Sequence, residues 1–291
     1  MLFPKKGIHY MKFGINTFLF TSPFTNESTR LFKDFKAWGF DAVELAIEDA
    51  SHIDPAFVKA ELDKYGLVCS TMCGAFGPDR DLRGDAQQQK GSFDYIFKMI
   101  DYCQVLNCPT FAGPLYSSVG RADAVPDKER KTQWATVVRN LKKVCAYAAK
   151  RNVKIALEPL NRFETDFINT ADQALQMVKD VGHPALLIHL DTFHMNIEEK
   201  SSPKAIRKVG KLLGHFHACG SDRGTPGGDH IDWPGIATAL KQVGYKQFAV
   251  IESFTPDVKV IAKAASIWRM IEKSQKEIAV KGLKFLQKAL A

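Results

Sequence analysis

Ala149-Lys-Arg-Asn152 followed by Val153-Lys-Ile-Ala-Leu-Glu158-Pro159 is the stretch that decides the fold. A helix-like run gives way at Asn152, a residue that tolerates the left-handed conformation of a helix end. A short β-branched run follows, closed by a carboxylate and then by Pro159, which cannot extend a central strand. The same phrase recurs as Phe35-Lys-Ala-Trp-Gly39 before Asp41-Ala-Val-Glu-Leu45, as Leu62-Asp-Lys-Tyr-Gly66 before Leu67-Val-Cys-Ser70, and as Leu240-Lys-Gln-Val-Gly244 before Phe248-Ala-Val-Ile251. With the apolar runs between them, these phrases predict strands near 12–17, 41–46, 67–73, 109–113, 153–158, 186–191, 214–218 and 247–252. Eight strands alternating with helices predict an α/β chain folded as a (β/α)₈ TIM barrel in a single domain. The competing doubly wound sheet is disfavoured because no Gly-x-Gly-x-x-Gly turn follows the first strand.

Side-chain parity carries the reading from fold to site. In 153–158, Val153, Ile155 and Leu157 share one face, and Lys154, Ala156 and Glu158 the other. In 186–191 the split is Leu186, Ile188 and Leu190 against Leu187, His189 and Asp191. Glu158, Asp191, His217 and Glu252 therefore close four consecutive strands, at separations of 33, 26 and 35 residues, close to the ~30 residues of one βαβ unit. A lone carboxylate at a strand end is ordinarily a solvated loop residue or a helix cap. Four such groups in register describe a divalent-cation site at the mouth of a barrel. Carboxylates with one imidazole suit Mn²⁺ first, with Mg²⁺ or Co²⁺ as alternatives. His215 shares the face of His217 but lies one layer deeper, where a hydrogen-bonded core histidine is expected.

Composition narrows the function. At 291 residues, 45% hydrophobic and 25% charged, the chain can bury a full core. The net charge of +8 comes from lysines scattered over helix faces, which gives nucleic-acid binding little support. The six cysteines form no CxxC pair and read as reduced, buried thiols of a cytoplasmic enzyme. No apolar run reaches the ~18 residues of a membrane span. Residues 1–10 read as an extension before a possible second start at Met11, with the barrel domain running from 11 to 291. The apolar residues of 259–289 are expected either to close the bottom of the barrel or to pair copies into a homodimer or homotetramer.

Beyond three of the strand-end groups stand further polar residues: Glu164 in Asn161-Arg-Phe-Glu164, His194 in Asp191-Thr-Phe-His194, and Arg223 in Gly220-Ser-Asp-Arg223. Loops at this face carry substrate contacts in barrel enzymes. The Gly-rich run Gly224–His230 lacks the Lys-Ser/Thr of a phosphate loop and reads as a turn over the site.

Leu190-Asp-Thr-Phe-His-Met-Asn-Ile-Glu-Glu199, together with Asn161-Arg-Phe-Glu164, resembles the ketose 3-epimerases acting on D-tagatose and D-allulose (psicose), within the xylose-isomerase-like barrels. The resemblance implies a metal held by Glu158, Asp191, His217 and Glu252. It implies sugar hydroxyls held by Glu164, His194 and Arg223, and a pocket lined by Met72 and Gly74. The chain departs from that pattern in Ala218-Cys-Gly-Ser-Asp-Arg223 and in a fourth-strand loop without tryptophan, positions that bear on the choice of sugar. The reaction implied is inversion at C3 of a free ketose. Two carboxylates on opposite faces of a planar enediolate, Glu158 and Glu252, would remove and return the proton while a Lewis acid stabilises the charge. An aldose–ketose isomerase using the same metal is the nearest alternative. A DNA hydrolase of the endonuclease IV type would need a histidine-rich metal cluster, and a non-catalytic sugar-binding barrel would not need the paired glutamates.

Overall fold

The computed structural model describes residues 11–290; the expected extension at 1–10 lies outside them. Eight strands, β1 (Lys12–Asn16), β2 (Ala42–Ile47), β3 (Val68–Gly74), β4 (Thr110–Gly113), β5 (Lys154–Leu157), β6 (Leu186–Asp191), β7 (Leu213–His217) and β8 (Phe248–Ile251), pair in parallel and in sequence order. The sheet closes where β1 meets β8, with Gly14 opposite Val250 and Ile15 opposite Ile251. Every strand end lies within one residue of its expected position. The structure thus shows the (β/α)₈ barrel.

Local chemistry sets the helices between them. The principal ones are α1 (Leu31–Trp38), α2 (Pro55–Lys64), α3 (Ala86–Val105), α4 (Asp127–Ala149) and α5 (Ala171–Val181) in the first five crossings. Two short helices, α6 (Thr192–Glu198) and α7 (Ser202–Val209), follow β6. Then come α8 (Trp233–Val243), α9 (Lys259–Ala264) and α10 (Gln275–Ala289). In α5 the Thr170 hydroxyl and the Gln173 side chain cap each other's backbone N–H groups. Ala171, Ala174, Met177, Val178 and Val181 then form the buried stripe that meets the barrel. The turn back into a strand needs a left-handed residue. Gly244 supplies it after α8 at φ 71°, and Asn152 after α4 at φ 57°, as the repeated phrase predicted.

The outward faces of the strands build the main core. Ile155, Leu157, Ile188, Leu190 and Phe216 all lie in one apolar cluster with residues of the helix ring. The apolar tail does not close the bottom of the barrel. Its helix α10 packs on β1, β8 and α8, burying Ile278, Leu283 and Leu286. Ile267 and Ile261 join a separate cluster with Phe18, Cys73 and Phe254. The reason is connectivity: the eighth crossing must return along the barrel flank to cover the β8–β1 seam. All six cysteines are free and buried, and no helix among the described residues is long and apolar enough to cross a membrane.

Leu141 in α4 is fully buried, whereas Phe163 in the loop after β5 is 75% exposed. We expect Leu141→Ala to cost about 2–5 kcal/mol of stability and Phe163→Ser no more than about 0.5 kcal/mol, both read by urea unfolding. Equal losses would mean that the core is not where the strand parity puts it.

Candidate active site

Parallel strands carry their C-terminal ends to one rim, so residues far apart in sequence meet there. Asp191 and His217 are the last residues of β6 and β7, and Glu158 and Glu252 stand one residue beyond β5 and β8. One side-chain ligand atom from each lies within 4.8 Å of the others, and all four residues are buried. Nδ1 of His217 is 3.3 Å from Oε2 of Glu252 and 3.6 Å from Oδ2 of Asp191. That nitrogen and Oε1 of Glu158 are buried without a hydrogen-bond partner. Two unpartnered atoms among three buried carboxylates leave room for a cation.

The donor chemistry fits a hard divalent ion: three carboxylates and one imidazole. Cys73 stands beside Glu44 and Glu252. Burial, and then the charges of those two glutamates, push its thiol well above its ordinary value. Burial and the nearby Glu252 likewise push the Glu158 carboxyl up.

Arg223 reaches deeper than a loop contact was expected to. Its Nη1 donates to Oδ2 of Asp191 at 2.6 Å and to Oε2 of Glu252 at 2.9 Å. Its guanidinium carbon lies 4.3 Å from the ring centre of Phe193 and 4.9 Å from that of Phe254, so the planar cation is sandwiched. The backbone of Arg223 is left-handed, φ 64°, which turns the side chain back into the barrel mouth.

His194 sits at the start of α6. Its Nδ1 accepts the backbone N–H of Asn161 at 3.0 Å, and its Nε2 lies 2.9 Å from Nη2 of Arg223, a group that can only donate. Burial, and then the charge of Arg223, push this imidazole down to about 3. Asn161 also donates from Nδ2 to Oε1 of Glu164 at 2.8 Å, and burial raises the Glu164 carboxyl. His230 lies in an exposed loop 3.4 Å from the Ser221 hydroxyl, away from the site.

These groups open onto a cavity of about 280 Å³. Glu158, Glu164, His194, Arg223 and Glu252 line it on one side; Phe18, Phe76, Leu160, Phe254 and Ile261 supply apolar walls. Gly74 belongs to this wall, where a Cβ would come within 2.5 Å of the Phe76 ring. Met72 does not line the cavity. It is fully buried in the main core, because alternation along β3 turns Thr71 and Cys73 inward and Met72 out toward the helices.

Three inward residues had no assigned role in the sequence: Asn16, Glu44 and His189. Glu44 lies 2.7 Å from Nε2 of His217, and the His189 ring centre is 4.1 Å from that of His217. The signal was present for Glu44. A charged residue within Ala42-Val-Glu-Leu45, apolar on both sides, has to find a partner indoors.

Residues 32–289 match the family described as xylose isomerase-like TIM barrel. A Synechocystis protein named probable ketose 3-epimerase is 35% identical over 278 residues, 95% of this chain and 96% of its own. An L-ribulose 3-epimerase of Methylomonas is 30% identical, covering 86% of this chain and 87% of its own. Among solved structures, a Methylomonas D-allulose 3-epimerase in complex with D-allulose superposes with a TM-score of 0.90 at 26% identity, covering 97% of this chain and 98% of that one. The chain belongs to the xylose isomerase-like TIM barrel family, in its ketose 3-epimerase group. It is an isomerase of the carbohydrate epimerase class.

Because His194 is held neutral when folded, its titration opposes stability in acid. The unfolded imidazole takes a proton near 6.5 and the folded one near 3. Between those values the unfolded state holds the extra proton, so stability falls as pH is lowered through that window. Urea unfolding of metal-free protein from pH 7 to pH 4 should show a shallower decline for His194→Gln than for wild type. Parallel curves would exclude this assignment.

Proposed function

We propose that the protein inverts C3 of a free ketose by removing its proton on one face and returning a proton on the other, with Glu158 and Glu252 as the two acid–base groups. The observation that carries this reading is their placement: two buried glutamates from β5 and β8, both lining one cavity and both within ligand reach of one cation position. A divalent ion there, Mn²⁺ or Mg²⁺, would be held by Glu158, Asp191, His217 and Glu252 and would supply Lewis-acid stabilisation of negative charge on the substrate oxygens.

The remaining work belongs to side chains. Glu158, at the end of β5, lines the cavity and would exchange a proton with the substrate from its side. Glu252 is fixed by donors from Arg223 at 2.9 Å and Asn16 at 3.2 Å, which set the direction of its approach. Inversion needs both, because a single base tends to return the proton to the face it came from. Glu164 and His194 line the same cavity and would orient hydroxyls, a positioning contribution.

The charge pattern favours a neutral sugar. Among the described residues four glutamates (48, 158, 164 and 252) line the cavity, and Arg223, the one Lys or Arg side chain of these in its wall, is already bonded to Asp191 and Glu252. A phosphate group would find no free cation among these residues.

Glu158→Gln and Glu252→Gln should each lower kcat for epimerisation of D-fructose or D-tagatose by about 10²–10⁴-fold. At least one of them should stop exchange of the C3 hydrogen with deuterated water. Chelation should abolish turnover and added Mn²⁺ restore it. Brisk epimerisation by either variant sinks the two-base assignment, and label entering at C1 rather than C3 would favour an aldose–ketose isomerase.

A further inference from the structure

The most heavily invested group outside the ligand set is Glu44, a carboxylate of β2 with no solvent exposure. Burying a charged group this completely is costly unless its partners are fixed. Oε1 of Glu44 lies 2.7 Å from Nε2 of His217 and 2.6 Å from Nδ2 of Asn16. Oε2 lies 2.5 Å from Nε2 of His215 without meeting the geometry of a hydrogen bond. Nδ1 of His215 in turn meets the Thr71 hydroxyl at 3.0 Å. The result is a continuous polar column beneath the barrel mouth.

The direction of the hydrogen bonds in this column can be worked out. Asn16 Oδ1 accepts the backbone N–H of Phe18 at 2.8 Å, so its Nδ2 must face Glu44 as a donor. Oε1 of Glu44 is therefore an acceptor, and the Nε2 of His217 beside it carries the proton. In the neutral imidazole that a metal requires, this leaves the lone pair on Nδ1, the atom that faces Asp191 and Glu252. The same Asn16 Nδ2 lies 3.2 Å from Oε1 of Glu252, tying a second member of the ligand set to Glu44.

We propose that Glu44 is a positioning residue for the cation. It fixes the tautomer and ring orientation of His217 and, through Asn16, the setting of Glu252. This rests on the divalent-cation reading of the four-residue cluster. A carboxylate behind a ligating imidazole raises the basicity of the ligand and holds its ring, and loss of such a partner costs about 10–100-fold in metal affinity. Glu44 touches neither substrate nor reacting atoms, so its removal acts on metal loading first.

The test titrates metal-stripped wild type, Glu44→Leu and Glu44→Gln with Mn²⁺, followed by calorimetry and by the electron-spin signal of free Mn²⁺. Wild type should bind one ion. Glu44→Leu should raise Kd by about 10–100-fold, with kcat recovering at saturating Mn²⁺. Glu44→Gln, whose amide oxygen can still accept from His217, should fall between the two. Both variants binding within about twofold of wild type overturns the proposal. Should Glu44→Leu fail to fold, the wild type alone decides: long-range ¹⁵N spectra of the Mg²⁺-loaded protein must show His217 protonated at Nε2, and a proton on Nδ1 overturns the assignment. If wild type binds no Mn²⁺, the cation reading itself falls, a different failure from unchanged affinity in the variants.

Discussion

Three carboxylates at the barrel mouth, Glu158, Asp191 and Glu252, are buried within reach of one another, and like charges in a poorly hydrated space repel strongly. The arrangement is tolerable only with positive charge among them. Arg223 supplies part of it, bonded to Asp191 and Glu252 and pressed between Phe193 and Phe254. A divalent ion would meet the remaining demand, since among the described residues Nδ1 of His217 and Oε1 of Glu158 are buried without a hydrogen-bond partner. Much of the surrounding structure serves that requirement. Outward-facing aliphatics on the strands lock the barrel against its helix ring, and the rigid barrel prevents the acids from swinging apart into water.

The same demand explains the inner layer. His215, His217 and His189 stack beneath the mouth, with His189 kept neutral by burial and then by the charge of His217. Glu44 answers the two histidines beside it, and the charges of His217 and His215 outweigh desolvation to hold its carboxyl well below the usual range. Polar groups in a barrel interior are stable only as connected sets. Here the set runs from Thr71 through His215 and Glu44 to His217.

Much of this could be read from the sequence, for a physical reason. Strand ends are marked by Gly, Asn and Pro, and alternation along a strand sorts inward from outward residues, so Glu158, Asp191, His217 and Glu252 could be placed on one rim before any coordinates. Glu44 stands out as a charge inside an apolar run, but nothing in that run names its partners: His215, His217 and Asn16 come from β7 and β1, and only closure of the sheet brings them together. Met72 was implied by the family resemblance and not by strand parity. The register of β3 against β2 shifts between Val43 and Glu44, setting Glu44 beside Thr71 and Ala46 beside Cys73, so the inward positions are 71 and 73 rather than 72. Such a bulge leaves no mark in the composition of either strand. The tail after 259 misled in turn because its apolar residues serve two different surfaces, the β8–β1 flank and the cavity wall.

The site is divided along the barrel axis. The lower groups, Glu44, His215 and His217, stand on strands, where the sheet's hydrogen bonds leave little freedom. The upper ones, Glu164, His194 and Arg223, belong to the segments after β5, β6 and β7 and line the cavity. Positions on strands cannot shift without breaking the sheet, whereas loops can change length and composition while the barrel stays intact. Cation geometry is thus insulated from changes in what the cavity admits, with one exception. Arg223 belongs to both levels, bonded to Asp191 and Glu252 below and exposed to the cavity above. Any change in the Ala218–Arg223 loop that moves its backbone must disturb the acids as well as the substrate wall. That coupling makes this loop the least free of those around the mouth, and the left-handed backbone at Arg223 is the local strain that keeps the guanidinium turned inward.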